Sequence, residues 1–178
     1  ELVARTALGW KKIGIIKGDR VSACSSNIPE AVITMLAVTS LGAIWSSTSP
    51  DFGIQGVIDR FGQIQPKIFV AIKSYYYNGK HIDCGDKINS IVEKILSIEK
   101  VILVDEFNNF SEANPVYTDL TNSINFNELI NNTSKQIIYE QSDFDHPVYI
   151  MYSSGTTGIP KCIVHGAGGT LLQHFKEH

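Results

Sequence analysis

The feature that most constrains the fold is a regular alternation of short apolar, strand-like segments with helix-like segments along most of the chain. Strands are expected at residues 20–24, 43–46, 67–72, 101–104, 148–152 and 162–165. Helices are expected before the first strand, near 27–41, at 54–65, at 86–97 and at 170–178. Because a strand, a helix and a second strand in succession usually form a crossover, this alternation predicts an α/β fold, a largely parallel sheet with flanking helices.

The helix near residues 27–41 has recognisable start and stop signals. Asn27 can accept hydrogen bonds from free backbone N–H groups, Pro29 lacks the N–H that would be unpaired there, and Glu30 occupies the capping-box position. We therefore expect Asn27 to cap this helix and Gly42 to end it. The residues at helical spacing that are expected to face the core are Ile33, Leu36, Ala37 and Leu41.

Two stretches are expected to lie outside this regular pattern. Residues 73–85 contain Tyr75, Tyr76 and Tyr77 in succession and are predicted to form a loop with a half-exposed aromatic cluster. Residues 105–141 are polar and weakly periodic, which predicts a loop-rich connection with a short helix near 126–130.

Composition and charge limit the possible functions. Of 178 residues, 43% are hydrophobic and 19% charged, which is typical of a globular protein, and the net charge of -3 argues against a nucleic-acid surface. No apolar stretch is long enough to span a membrane, and no targeting signal is recognised. The three cysteines, Cys24, Cys84 and Cys162, have no paired spacing, which favours a reducing compartment. We expect a cytosolic protein.

The strongest chemical signal is a hydroxyl- and glycine-rich segment between the last two predicted strands. Gly155 and Gly158 allow a tight turn that presents consecutive N–H groups to an anion, and Lys161 adds a positive charge. Pro160 stiffens the end of the segment. The residues expected to contact phosphate oxygens are Ser153, Ser154, Gly155, Thr156, Thr157, Gly158 and Lys161. The pattern predicts a loop that binds the phosphates of a nucleotide.

Three other structures or functions could be considered for this segment: a hairpin turn, a Walker A loop and a Ser–Lys nucleophile pair. An ordinary Ser/Gly hairpin turn remains open on composition alone. A Walker A loop is excluded because Pro160 stands in place of its second glycine, Cys162 in place of its Ser or Thr, and a strand follows instead of a helix. A Ser–Lys nucleophile pair lacks a nucleophile elbow and a placed acidic partner.

The segment from Tyr152 to Lys161, with the sequence YSSGTTGIPK, resembles the phosphate-loop signature of the adenylate-forming superfamily of acyl-CoA synthetases, luciferases and peptide-synthetase adenylation domains. The tract from Gly18 to Ala43 is similar to the early strand–helix–strand unit of that superfamily. Residues 44–53, 145–147 and 161–174 more closely resemble the branch that joins acetoacetate to CoA. Cys162 stands where most members of the superfamily have glycine, and it is typical of this branch.

The resemblance implies an ATP-dependent acid–thiol ligase. Acetoacetate attacks the α-phosphorus of ATP to give an acyl-adenylate and pyrophosphate, and CoA then displaces AMP. Lys161 and the loop are implied to stabilise the charge on the departing pyrophosphate, with Mg²⁺ sharing that charge. The implied roles are ketone-body use and lipid synthesis. Other short-chain acyl-CoA synthetases, acting on acetyl or propionyl groups, remain an alternative, as does a non-catalytic nucleotide-binding remnant.

The remaining candidate residues are less specific. Phe52, Gly53 and Lys80 are implied by loose resemblance to contact CoA, although ordinary loop packing and a solvated lysine are the favoured explanation. A zinc site at Cys162, His165 and His174 would lack a fourth ligand, so no metal site is expected. Trp45 is expected to pack in the core.

The resemblance also implies that residues 1–178 form part of an N-terminal AMP-binding domain. The adenine-binding, ribose-binding and magnesium-binding residues, and a C-terminal domain with its own catalytic lysine, are expected outside this chain. The chain alone is therefore expected to lack ligase activity.

Overall fold

The computed structural model describes residues 1–105, 120, 122–153 and 158–177 of the chain. Its helices and strands follow one another in the order α1 (Leu2–Lys12), β1 (Arg20–Cys24), α2 (Pro29–Ser40), β2 (Ile44–Thr48), α3 (Ile54–Ile64), β3 (Ile68–Ile72), β4 (Ser74–Tyr77), β5 (Lys80–Asp83), α4 (Gly85–Lys94), β6 (Lys100–Val104), β7 (Ser123–Asn125), α5 (Phe126–Leu129), β8 (Pro147–Tyr152), β9 (Cys162–Gly166) and α6 (Ala167–Glu177).

Seven of the described strands form one sheet in the order β7-β6-β3-β1-β2-β8-β9. All neighbours run parallel except β8 and β9, which pair antiparallel with Tyr152 opposite Cys162. The α/β fold with a largely parallel sheet is therefore confirmed. The antiparallel pair lies at one edge of the sheet, and its connecting turn is the predicted phosphate-binding segment.

The core lies around the central strands. Every residue of β3 is buried, as are four of the five residues in β1 and in β6. Because successive side chains of a strand point to opposite faces, this continuous burial means that both faces of the sheet are covered there. Helix α1 packs against α2 and α5, and α3 packs against α4.

Helix α2 begins differently from the sequence-based expectation. Its N-cap is Ile28 in an extended conformation without a side-chain cap, so the prediction that Asn27 caps the helix is wrong. Pro29 does begin the helix, because its missing N–H would have no intrahelical partner at that position. The predicted apolar face is only partly correct, since Leu36 is exposed, whereas Thr34 and Val38 are buried with Ala37.

Residues 73–85 were predicted to form a loop, and this prediction is wrong. Strands β4 and β5 form a separate antiparallel hairpin, in which Tyr75 is buried while Tyr76 and Tyr77 are exposed. Asn78 and Gly79 both have positive φ, as a two-residue type I′ hairpin turn requires. The Asn-Gly pair was the signal that could have identified it.

The short helix predicted near 126–130 is present as α5, and it follows the unpredicted strand β7. No helix of the described part of the chain is both long and apolar enough to cross a membrane.

Candidate functional site

The two ends of the predicted phosphate-binding segment meet at the end of the β8–β9 pair. The Ser153 N–H donates to the Lys161 carbonyl over 3.0 Å, and the Lys161 N–H donates to Ser153 Oγ over 3.2 Å. These bonds extend the antiparallel ladder by one step and close the segment into a loop. The Lys161 side chain is exposed and forms no ion pair with any residue of the described ranges.

Gly158 has a backbone conformation that other residues rarely adopt. Its φ of 107° lies in the left-handed region, and among the described residues, its chain neighbours apart, no atom lies within 4 Å of the position that a Cβ would take. The requirement for glycine at this position is therefore conformational and does not come from a steric neighbour. Ser154, Gly155, Thr156 and Thr157 lie outside the described residues, and their contact with phosphate stays a prediction.

The β8 strand is held to the rest of the sheet through β2. Tyr149 pairs with Trp45, and Ser46 Oγ donates to the Ile150 carbonyl over 2.8 Å. The hydroxyls of Ser46 and Tyr152 lie 3.0 Å apart. Burial raises the pKa of Tyr152 to about 12, so this phenol stays neutral near pH 7. The residue that precedes the loop is thus anchored by a partly buried hydrogen bond.

Helix α3 contacts the loop from one side. The Arg60 guanidinium carbon lies 4.3 Å from the centre of the Phe52 ring and 5.8 Å from that of Tyr152, a cation–π arrangement. Arg60 Nη1 also donates to the Gly56 carbonyl over 2.7 Å. One turn further along, Gln63 Nε2 donates to the Pro160 carbonyl over 2.7 Å. The helix therefore touches residues on both sides of the loop.

Phe52 and Gly53 lie at the start of α3, where Gly53 is the N-cap. The Lys87 ammonium donates to the carbonyls of Pro50, over 2.6 Å, and of Phe52, and so fixes the backbone of residues 49–53. Below this segment the buried Cys24 thiol lies 3.7 Å from the Ser49 carbonyl, and burial raises the pKa of that thiol.

Lys80 lies apart from the other two residues that were predicted to contact CoA. It follows the Asn78–Gly79 turn at the exposed end of the β4–β5 hairpin, opposite Tyr77. At the other end of that hairpin, Tyr75 Oη donates to the Pro50 carbonyl over 3.4 Å. In the described ranges, no hydrogen bond or ion pair joins the Lys80 side chain to Phe52 or Gly53. Phe52 and Gly53 are consecutive residues at the start of α3. Lys80 lies at the surface and is not joined to them by a described hydrogen bond or ion pair.

A cavity of about 660 Å³ opens beside the loop. Its lining includes Trp45, Ser46, Phe52, Arg60, Tyr152 and Ser153. Trp45 is only 5% exposed, as expected of a core residue, and the same side chain forms part of the cavity wall. The cavity therefore connects the segment that carries Phe52 with the first residue of the predicted phosphate-binding loop.

Metal-ligating side chains do not gather in the part of the chain that the structure describes. No three His, Cys, Asp or Glu residues among them are placed to hold one ion. Cys162, which was considered as a zinc ligand, instead has its thiol 3.6 Å from Gln63 Oε1, and partial burial raises its pKa.

Sequence reasoning missed four residues that organise this region: Ser46, Arg60, Gln63 and Lys87. Arg60 and Gln63 are three positions apart in a predicted helix, so the sequence shows that they share a face of that helix. The sequence does not show which other segment of the chain lies beside that face. Ser46 and Lys87 had no local signal.

Comparisons with known proteins identify the family of the chain and a solved structure with a similar fold. The family described as AMP-binding enzyme matches residues 1–176. Acetoacetyl-CoA synthetase from Macaca fascicularis is 45% identical over 99% of this chain, and acetoacetyl-coenzyme A synthetase from Rhizobium meliloti (strain 1021) is 47% identical over 99%. The solved structure of acetoacetyl-CoA synthetase from Streptomyces lividans superposes with a TM-score of 0.89 at 36% identity, covering 99% of this chain. The chain spans 26% of the Macaca and Streptomyces proteins and 27% of the Rhizobium protein.

Proposed function

The chain belongs to the AMP-binding enzyme family, and from this premise we propose that its β8–β9 loop binds the triphosphate of ATP in an acid–thiol ligase. The whole protein would activate acetoacetate as an acyl-adenylate and transfer the acyl group to CoA, with AMP and pyrophosphate as the other products. Residues 1–178 would form part of the N-terminal AMP-binding domain of that protein, and a C-terminal domain would lie outside this chain.

One observation carries the proposal. Ser153 and Lys161 close a loop at the end of an antiparallel strand pair, and the exposed Lys161 ammonium has no carboxylate partner within the described ranges. An exposed cation in a hydroxyl- and glycine-rich segment, left without a counter-charge, suits a polyphosphate. The positive φ of Gly158 supports the same interpretation, because it permits the tight backbone that such loops use.

The loop would act mainly on the leaving group. When the acetoacetate oxygen bonds to the α-phosphorus, the bond from that phosphorus to the bridging oxygen breaks, and negative charge grows on the departing pyrophosphate. N–H and hydroxyl donors of the loop and the Lys161 ammonium would stabilise this charge in the transition state.

The choice of acetoacetate is supported by the names of the relatives. Proteins at 45% and 47% identity are called acetoacetyl-CoA or acetoacetyl-coenzyme A synthetases. An acetyl- or propionyl-CoA synthetase with the same loop remains the alternative, and the residues that would separate the two are expected outside this chain. On the same basis we propose a cytosolic protein that acts in ketone-body use and lipid synthesis.

For CoA, we propose contacts with Phe52, which borders the cavity beside the loop, with Gly53, which follows it at the start of α3, and with Lys80 as an exposed cation. Magnesium would accompany the triphosphate. The described residues supply no group of three ligands for it, so no step proposed here depends on the metal.

The test is Lys161→Ala in the full-length protein that contains this chain, measured by acetoacetate-dependent exchange of pyrophosphate into ATP. Removing one charged donor from such a site is expected to lower the exchange rate by about 10²–10³-fold. Lys11→Ala, at an exposed lysine near the end of α1, is the matched control and should leave the rate unchanged. A Lys161→Ala protein that exchanges at the parent rate would disprove the proposal.

A further inference from the structure

The Gln63 side chain contacts the two residues that flank Lys161. Its Nε2 donates to the carbonyl of Pro160 over 2.7 Å, and its Oε1 lies 3.6 Å from the Cys162 thiol, which donates to it. Lys161 itself is not touched. A single amide therefore holds the backbone immediately before the lysine and the side chain immediately after it.

Both N–H donors of this amide are engaged, and its oxygen accepts one hydrogen bond. The second Nε2 hydrogen donates to the Asp59 carbonyl one turn earlier in α3, over 2.6 Å. An amide group has two N–H donors and one carbonyl oxygen, so the three contacts define which end is nitrogen and which is oxygen. Gln63 is thus tied to its own helix as well as to the loop.

Helix α3 gives Gln63 a rigid base. Val57, Phe61 and Ile64 are buried in the core, with Val57 and Phe61 at 0% exposure. Pro160 is also buried, and its ring fixes φ next to Lys161. The residue before Lys161 is therefore held both by its own burial and by the hydrogen bond from the exposed Gln63 side chain.

The same helix face also reaches the other end of the loop. Arg60, three positions before Gln63, lies over the Tyr152 ring, and Tyr152 directly precedes Ser153. Gln63 is nevertheless the closer link to the lysine, because its contacts are hydrogen bonds to the adjacent residues.

We propose that Gln63 is a positioning residue for Lys161, holding the end of the loop so that the ammonium faces the departing pyrophosphate. The inference rests on the proposed phosphate-binding role of the loop. It also gives a role to the cysteine that follows the lysine: the Cys162 thiol donates the bond that completes the Gln63 amide, which a glycine could not do.

The test is a double-mutant cycle in the full-length protein, with the parent, Gln63→Leu, Lys161→Ala and the combined variant. Because small displacements of a reacting group are strongly felt in the rate, Gln63→Leu should lower the pyrophosphate-exchange rate by about 10-fold when Lys161 is present. With Lys161 already replaced, Gln63→Leu should change the rate by less than about 2-fold, since the two effects are coupled. The melting temperature should be similar across the set.

Gln55→Leu is the matched control, because Gln55 lies on the same helix and its amide contacts only Asp59 within the described residues. It should exchange at the parent rate.

Cys162→Ser keeps a donor toward Gln63 and should retain more activity than Cys162→Ala. If Gln63→Leu lowers the melting temperature, Gln63→Met replaces it, since the unbranched, uncharged side chain keeps the length but loses the donor to Pro160.

The outcomes separate the two proposals. If Lys161→Ala itself has no effect, the phosphate-binding role fails. If Lys161→Ala is severe but the Gln63 substitutions lower the rate equally in both backgrounds, or not at all, the positioning role fails and the phosphate-binding role stands.

Discussion

The centre of the sheet and its β8–β9 edge differ sharply in how they are packed. Strand β3 and most of β1 and β6 are buried on both faces, with Phe69 at 0% exposure. At the edge, Ile163 and Val164 are neighbours in one strand and both are exposed, and Phe175 of α6 is 84% exposed. Within this chain, which spans 26% of the Macaca and Streptomyces relatives, the candidate site lies at the more exposed edge. Stability and the proposed chemistry are therefore carried by different parts of the chain, which are connected by α3.

The largest effect should come from removing an aromatic side chain from the centre. Phe69→Ala leaves a cavity in the core on one covered face of the sheet and should lower the free energy of unfolding by about 3–5 kcal/mol. Phe175→Ala makes the same change on the exposed face of α6 and should alter it by less than about 0.5 kcal/mol. Equilibrium urea unfolding of this chain measures both. Equal losses would show that α6 packs as tightly as the centre and would remove the contrast.

A glycine in α1 gives the next largest effect. A Cβ at Gly9 would lie 2.3 Å from the Leu129 carbonyl oxygen of α5, a backbone atom that cannot rotate away. Overpacking of this kind typically costs about 1–3 kcal/mol, which should exceed the gain of up to about 1 kcal/mol in helix propensity from Gly9→Ala.

Gly62→Ala in α3 is the control for this substitution, because the nearest atom to its Cβ would be 4.0 Å away. It should be neutral or slightly stabilising in the same unfolding measurement. If Gly9→Ala also proves stabilising, α1 can move away from α5 to make room for the new methyl group. The contact between these two helices would then be less rigid than the packing at the centre of the sheet.

The same difference in packing explains what could be predicted from the sequence. Strands buried on both faces are continuous apolar runs, so residues 67–72 and 101–104 were placed within one residue of β3 and β6. The Asn27 cap was predicted from residue type alone, but a cap also requires the right backbone, and the extended residue before the helix is Ile28. Local propensity could not decide between these neighbouring positions.

The site was predictable only where its residues are adjacent in sequence. Ser153, Gly158 and Lys161 were predicted as phosphate contacts from their spacing with the other residues of the loop, and this stays a prediction. Gln63 and Arg60 were not, because their roles depend on α3 meeting a strand pair about 90 residues later in the chain. Which helix lies beside the loop is decided by the order of strands in the sheet, which the alternation of segments does not specify.

The smallest expected effect tests whether the edge unfolds together with the centre. Gly169, in the first turn of α6, has no atom within 4 Å of a Cβ position, so Gly169→Ala should stabilise this helix by about 0.4–1 kcal/mol through the unfolded chain. Gly168→Ala is the neighbouring control: its Cβ would meet the Phe144 ring at 2.2 Å, so it should give no gain. If α6 opens independently, Gly169→Ala will slow hydrogen exchange of α6 amides without raising the urea midpoint of the whole chain. A raised midpoint would instead mean that the edge, despite its exposed apolar residues, belongs to the same cooperative unit as β3.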